Sequence, residues 1–162
     1  VLTRNFSQHP FVPSDEAARA HICDEILTIQ AMGLKKRLSH TNAKSAVVGI
    51  SGGLDSTLAL LVTAKAFDML GRDKKEIIAV TMPCFGTTDR TYNNACEMTR
   101  QTGATLIEVP IGEAVNVHFR DIGHDPDVHD VTYENAQARE RTQVLMDIAN
   151  REAGACFRVG DI

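Results

Sequence analysis

The spacing of hydrophobic residues changes character along the chain, and each change marks an element. Between residues 14 and 38, Ala18, Ile22, Ile26, Ile29 and Met32 recur at intervals of three and four, which predicts an amphipathic helix. Ser14 suits its N-cap, with Asp15 and Glu16 in the first turn, where the helix dipole favours negative charge. Gly33 is a point of bending, and Lys35-Lys36-Arg37 suits a solvated last turn. Residues 45–50, Ser-Ala-Val-Val-Gly-Ile, are a short β-prone run that leads into two adjacent glycines. Residues 58–70 then predict a helix that is apolar around most of its girth.

The alternation continues downstream. A second buried strand is expected over residues 76–83, a polar loop with Gly86 over 85–91, a helix over 93–102 closed by Gly103, and a third strand over 104–109. Residues 114–119 suit a short helix and residues 123–130 a loop. Thr132 suits the cap of a last helix that runs to about residue 152, with Glu134 in its first turn. Ala138, Arg141, Val144, Leu145, Ile148 and Ala149 form its core-facing stripe, which carries one basic residue, while Asn135, Arg139 and Gln143 share a second face. Gly154 ends it before a fourth strand over 155–159. Short strands alternating with helices predict right-handed βαβ units. The expected fold class is therefore α/β, a Rossmann-like parallel β-sheet sandwiched by helices. Ligands of such sheets bind beyond the carboxyl ends of the strands, where the double-glycine turn and residues 82–91 both fall.

Composition narrows the picture. The 162 residues suffice for one domain with a real core. Residues 14–162 are expected to form it, and residues 1–13, with Asn5, Ser7, Pro10 and Pro13, an arm or linker. A hydrophobic share of 43% and a charged share of 23% place the chain among globular proteins rather than disordered ones. The net charge of -4 supplies no global basic field, and six Phe and two Tyr without Trp offer few stacking surfaces, so nucleic acid is not an expected partner. An anionic ligand must be held by local donors instead. No apolar run reaches membrane-spanning length and no signal peptide is visible, which argues against a membrane and for a cytoplasmic protein. Cys23, Cys84, Cys96 and Cys156 form no paired spacing and are expected to be reduced, mostly core-filling thiols. The chain begins at Val1 and stops at Ile162 straight after a predicted strand. Both ends look cut, as in a piece of a longer protein.

Chemistry concentrates at Ser51-Gly-Gly-Leu-Asp-Ser-Thr57. A strand, a glycine turn and a helix in that order aim backbone N–H groups and a helix N-terminus at a phosphate. Gly52 and Gly53 let a bulky anion approach, and Ser51, Ser56 and Thr57 add hydroxyls. Asp55 would repel a phosphate unless a cation sat between them, so it implies Mg²⁺. The Lys-Ser/Thr ending of a Walker loop is missing, which excludes a GTPase or kinase-type P-loop. His124, His129, Asp125, Asp127 and Asp130 have the residue types of a metal site but no recognisable ligand spacing, so a hydrated loop is expected there. Nothing basic adjoins Cys84 in the sequence, which makes it a poor nucleophile candidate.

The run Ser51-Gly-Gly-Leu-Asp-Ser56 resembles the pyrophosphate loop of the ATP-pyrophosphatase (PP-loop, N-type) family, whose fold is adenine-nucleotide α-hydrolase-like. Tyr133-Glu-Asn-Ala-Gln-Ala-Arg-Glu-Arg-Thr142 resembles the Asn-x-x-Ala-Arg-x-Arg helix of NAD synthetases, which lies at their dimer interface. His9-Pro-Phe-Val-Pro13, Ile29-Gln-Ala-Met-Gly-Leu34, Thr81-Met-Pro83 and Thr88-Asp-Arg-Thr91 are similar to the synthetase part of the glutamine-dependent type, where a nitrilase-type glutaminase domain lies upstream.

The resemblance implies an amide ligase that forms NAD from deamido-NAD and ammonia, through a nicotinyl-adenylate, with release of AMP and pyrophosphate. It implies ATP at Gly49, Ile50, Ser51, Gly52, Gly53, Leu54, Asp55, Ser56 and Met82, with Asp55, Ser51 and Ser56 as catalytic residues. Mg²⁺ would sit on Asp55, deamido-NAD on Asn135 and Arg139, and the protein would be a homodimer or larger homo-oligomer. Val159 stands where the family has a Thr near ATP, and the chain stops before the family's metal-holding Glu. The alternatives are another PP-loop enzyme such as GMP synthetase, or a nucleotide-binding module that does not turn over.

Overall fold

The structure, a computed structural model, describes residues 3, 4 and 9–157. The expectations for Asn5, Ser7 and Val159, and for the Cys156 side chain, lie outside the described residues. Among the described residues, five helices and four strands follow in the order α1 (Glu16–Thr41), β1 (Ala46–Gly49), α2 (Leu54–Leu70), β2 (Ile77–Thr81), α3 (Asp89–Thr102), β3 (Thr105–Glu108), α4 (Gly112–Ile122), α5 (Val131–Arg151) and β4 (Ala155–Phe157), with one 3₁₀ turn at Lys74–Glu76. All pairings are parallel and the strand order is β3-β2-β1-β4. The expected α/β class is therefore what the chain adopts.

Parallel strands are covered on both faces, and the two central ones show it by burying almost every residue. On one face Ala46, Val48, Ile50, Ile77 and Ala79 meet Leu38 of α1, Leu60, Ala64 and Phe67 of α2 and Ala95 of α3. On the other, Val47, Ile78 and Val80 meet Val115 and Phe119 of α4 and Tyr133, Ala136, Leu145, Ile148 and Ala149 of α5. Because β1 pairs with β2 on one side and β4 on the other, the chain changes direction across the sheet at β1. The double-glycine turn follows that strand.

Several expectations need correction. Asp15 rather than Ser14 caps α1, its carboxylate accepting the Ala18 N–H at 2.7 Å. Asp130 rather than Thr132 caps α5, accepting the N–H groups of Thr132 and Tyr133. A carboxylate binds first-turn N–H groups better than a hydroxyl does. The stripe Ile22, Ile26, Ile29 and Met32 is exposed, and α1 is seated by Ala31, Leu34 and Leu38. At 26 residues α1 spans about 39 Å; its buried residues Ala31 and Leu38 lie in its C-terminal half, and Asp24 in its N-terminal half pairs with Lys65 of α2 at 2.7 Å. Gly33 leaves α1 unbroken. Cys23 is exposed and Cys84 and Cys96 are half-buried, so core filling does not describe them. Residues 89–91, expected in a loop, belong to α3, capped by Thr88. Among the described residues no helix is long and apolar enough to cross a membrane.

Candidate active site

The turn after β1 is built largely from its own hydroxyls. Ile50 donates its N–H to the Val80 carbonyl at 2.8 Å, so the chain stays on the sheet until it turns. The Ser56 side chain is buried, accepts the Ser51 N–H at 3.3 Å and donates to the Gly53 carbonyl at 3.0 Å. Thr57 donates to the same carbonyl at 2.7 Å. Ser51 accepts the Gly53 N–H and lies 3.1 Å from Ser56 Oγ. Thus Ser56 and Thr57 brace the turn, and Ser51 is the hydroxyl most open to a ligand. Helix α2 starts at Leu54, four residues earlier than the hydrophobic run suggests, which puts Asp55 and Ser56 in its first turn.

The first backbone bond of α2 runs from Thr57 N–H to the Gly53 carbonyl. The N–H groups of Leu54, Asp55 and Ser56 precede the helical ladder, and Gly53 offers no side chain to cap them. Gly52 has φ +79°, a left-handed conformation, and the Thr91 carbonyl fills the space its β-carbon would need. Its glycine is required by the approach of α3. Gly53 has φ -87°, open to any residue, so of the two adjacent glycines Gly52 is the one whose backbone is closed to other residues.

Beyond the ends of β1 and β2 lies a cleft of about 690 Å³. Gly49, Ile50, Ser51, Gly53, Leu54, Asp55, Ser56 and Met82 all line it, whereas Gly52 faces α3. The opposite wall is one face of α5: Tyr133, Gln137, Arg141 and Leu145, each four residues from the last. Leu145 packs directly on the end of β1, one of its methyls 2.9 Å from where a β-carbon on Gly49 would stand. Arg141 lies one turn further out, at the level of the glycine turn. Gln137 is buried and donates to the Tyr133 carbonyl at 3.2 Å. Tyr133 stacks on His129 with ring centroids 4.2 Å apart, and on Phe119 at 5.6 Å. Gln137 escaped sequence reasoning. The available signal was a buried-face spacing of four from Tyr133 to Leu145 that holds two polar residues.

Asn135 and Arg139 are exposed and are not part of this cleft; they occupy the outer face of α5 with Gln143. The loop at residues 123–130 is spent on structure. Asp130 caps α5, and His124 donates to the Val128 carbonyl at 3.1 Å while its ring packs at a tilt against Phe119, centroids 5.0 Å apart. Among the described residues no group of three or more His, Cys, Asp or Glu is placed to hold a metal ion. Burial pushes the Cys84 thiol above its ordinary pKa, although Arg141 acts on it in the opposite sense. A basic group from a distant part of the chain therefore acts on Cys84, and burial outweighs it.

The family model described as NAD synthase matches residues 26–156. The glutamine-dependent NAD(+) synthetase of Mycobacterium leprae is 41% identical over 99% of this chain, which covers 24% of that relative. The chain thus spans about a quarter of the length of the curated relatives it matches. The structure of glutamine-dependent NAD+ synthetase from Acinetobacter baumannii, in complex with ADP, superposes with a TM-score of 0.74 at 27% identity, covering 82% of this chain and 24% of that one. The NH3-dependent NAD synthetase of Campylobacter jejuni shares the fold, with a TM-score of 0.70 at 17% identity over 82% of this chain and 54% of that one. With its parallel sheet, its glycine turn and its match over most of its length, the chain belongs to the NAD synthase family.

Proposed function

We propose that this chain is the ATP-using part of a glutamine-dependent NAD synthetase, and that the cleft between the glycine turn and α5 is where deamido-NAD is activated. The observation that carries the reading is the first turn of α2, uncapped by any side chain, whose residues Leu54, Asp55 and Ser56 line a cleft with Ser51. The ADP held by the Acinetobacter baumannii relative supports a nucleotide there. In this reading the N–H groups of Leu54, Asp55 and Ser56 and the Ser51 hydroxyl hold the phosphates, and the adenine lies toward Met82. The nicotinate carboxylate attacks the α-phosphorus and displaces pyrophosphate. Ammonia then attacks the acyl carbon, and AMP leaves with the bridging oxygen. No protein nucleophile is needed, because positioning and charge stabilisation carry both steps.

A hard divalent cation fits the donor set, since Mg²⁺ is commonly held by one or two carboxylates together with substrate phosphates. Asp55, exposed at the cleft wall, would be the protein's ligand; the bound ion would offset charge on the departing pyrophosphate. Asn135 and Arg139 face outward, so their role toward deamido-NAD requires a second copy across α5, which makes the working form a homodimer. Ammonia would come from glutamine through a further domain of the whole enzyme, acting in the cytoplasm.

The test is pyrophosphate release by the full-length protein from ATP and Mg²⁺ with ammonia, comparing deamido-NAD with XMP. Release that requires deamido-NAD and disappears in Asp55→Ala is the expected result. Release with XMP alone would contradict the reading and favour purine amidation.

A further inference from the structure

The Walker-type lysine is missing from the glycine turn, yet an ATP molecule would bring about four negative charges into a cleft already carrying two carboxylates. Those carboxylates are Asp55 and Glu134. The proposed Mg²⁺ would offset two of these charges, and hydroxyls and N–H groups supply partial charges only. Among the described residues that line the cleft, Arg141 is the one Lys or Arg.

Its placement is specific. Leu145 seats α5 on Gly49 at the end of β1, so Arg141, one helical turn outward, stands across the cleft from Ser51–Ser56 and beside the start of the loop after β2. It is half-buried, and it forms no ion pair or side-chain hydrogen bond among the described residues. The other arginines of α5 do not compete. Arg139 is exposed on the outer face, and Arg151 pairs with Glu152 at 2.8 Å at the far end of α5. A guanidinium is weakly hydrated and presents a planar fork of donors that matches phosphate oxygens.

We propose that Arg141 is the cleft's phosphate-directed cation, holding the nucleotide's phosphates against the glycine turn from the opposite wall. The assignment rests on the proposed use of ATP and adds, beside the proposed Mg²⁺, the protein's own cation facing the phosphates. Arg141 then acts on the phosphates rather than on the base, and its loss weakens ligands in proportion to their phosphate charge.

The experiment uses the full-length protein with Arg141→Ala, Arg141→Gln and Arg141→Lys, and titrates ATP, AMP and adenosine by calorimetry beside thermal melting of the ligand-free proteins. The expected result is at least an about tenfold loss of ATP affinity in R141A and R141Q, a smaller loss for AMP and no change for adenosine. R141K recovers part of the ATP affinity, and melting of the ligand-free variants stays at the wild-type value. Equal losses for adenosine and ATP would overturn the assignment, because Arg141 would then only shape the cleft. Unchanged ATP affinity with a raised KM for deamido-NAD would also overturn it, placing the cation on the second substrate's carboxylate. Wild-type protein that binds no ATP would overturn the functional reading as well. Wild type that binds ATP, with R141A binding it equally, would overturn the Arg141 assignment alone.

Discussion

The carbonyl oxygen of Thr91 stands where a β-carbon on Gly52 would have to go, so the first turn of α3 and the glycine turn after β1 are locked against each other. The two glycines of the turn therefore differ. Gly52→Ala places a side chain at φ +79° and against backbone that cannot yield, with an expected loss of about 1–3 kcal/mol and a displaced turn. Gly53→Ala meets only Ser51 Oγ at 3.4 Å, an ordinary contact, and should change stability by less than about 1 kcal/mol. Urea denaturation of both variants checks the contrast. Equal losses would mean that contact with α3 does not set the turn.

The outer face of α5 exposes Asn135, Arg139 and Met146, while Leu145 is buried against β1. If a second copy docks there, Arg139→Glu combined with Met146→Asp should lower the mass in solution from dimer to monomer without loss of helix signal. Leu145→Asp would instead unfold the chain, because it puts a carboxylate in the core. Light scattering beside circular dichroism separates the two effects. An unchanged mass for the outer-face variant would remove α5 from the interface.

Acid should loosen the helices through two carboxylates. Hydrogen bonds from Arg100, then Gln101, hold Glu97 down to about 2, and the Tyr133 N–H holds Asp130 below its ordinary value. A carboxylate whose folded pKa is depressed stabilises the fold fully above its unfolded value, near 4, and that contribution fades as pH falls through the folded value. Both groups are solvent-exposed, so each effect is small. Glu97→Gln and Asp130→Asn should each melt slightly below wild type at pH 7, and the gaps should narrow toward pH 2. A gap that widens with acid would contradict the sign.

Arg139 and Arg141 show how far the sequence could be read. The helical period separates them onto different faces, and it correctly put Arg141 in the inward stripe and Arg139 on the outer one. What it could not say is that part of the inward stripe faces a cleft rather than packed core, since that depends on where β1 and β2 end. The parallel pairing of β1, β2 and β3 followed from the alternation of elements, but their order in the sheet did not. The exposure of Ile22, Ile26 and Ile29 did not, because periodicity marks an apolar face without revealing whether this chain has anything to cover it. Likewise, the motif located Ser51, Ser56 and Thr57 without showing that two of the three hydroxyls are committed to the turn itself.

The most direct test of the central claim follows one oxygen atom. Deamido-NAD labelled with ¹⁸O in its nicotinate carboxylate is turned over by the full-length protein with ATP, Mg²⁺ and ammonia, and the products are weighed by mass spectrometry. An adenylate formed in this cleft predicts one labelled oxygen in AMP and none in pyrophosphate. Unlabelled AMP, or ADP and phosphate as products, would contradict it.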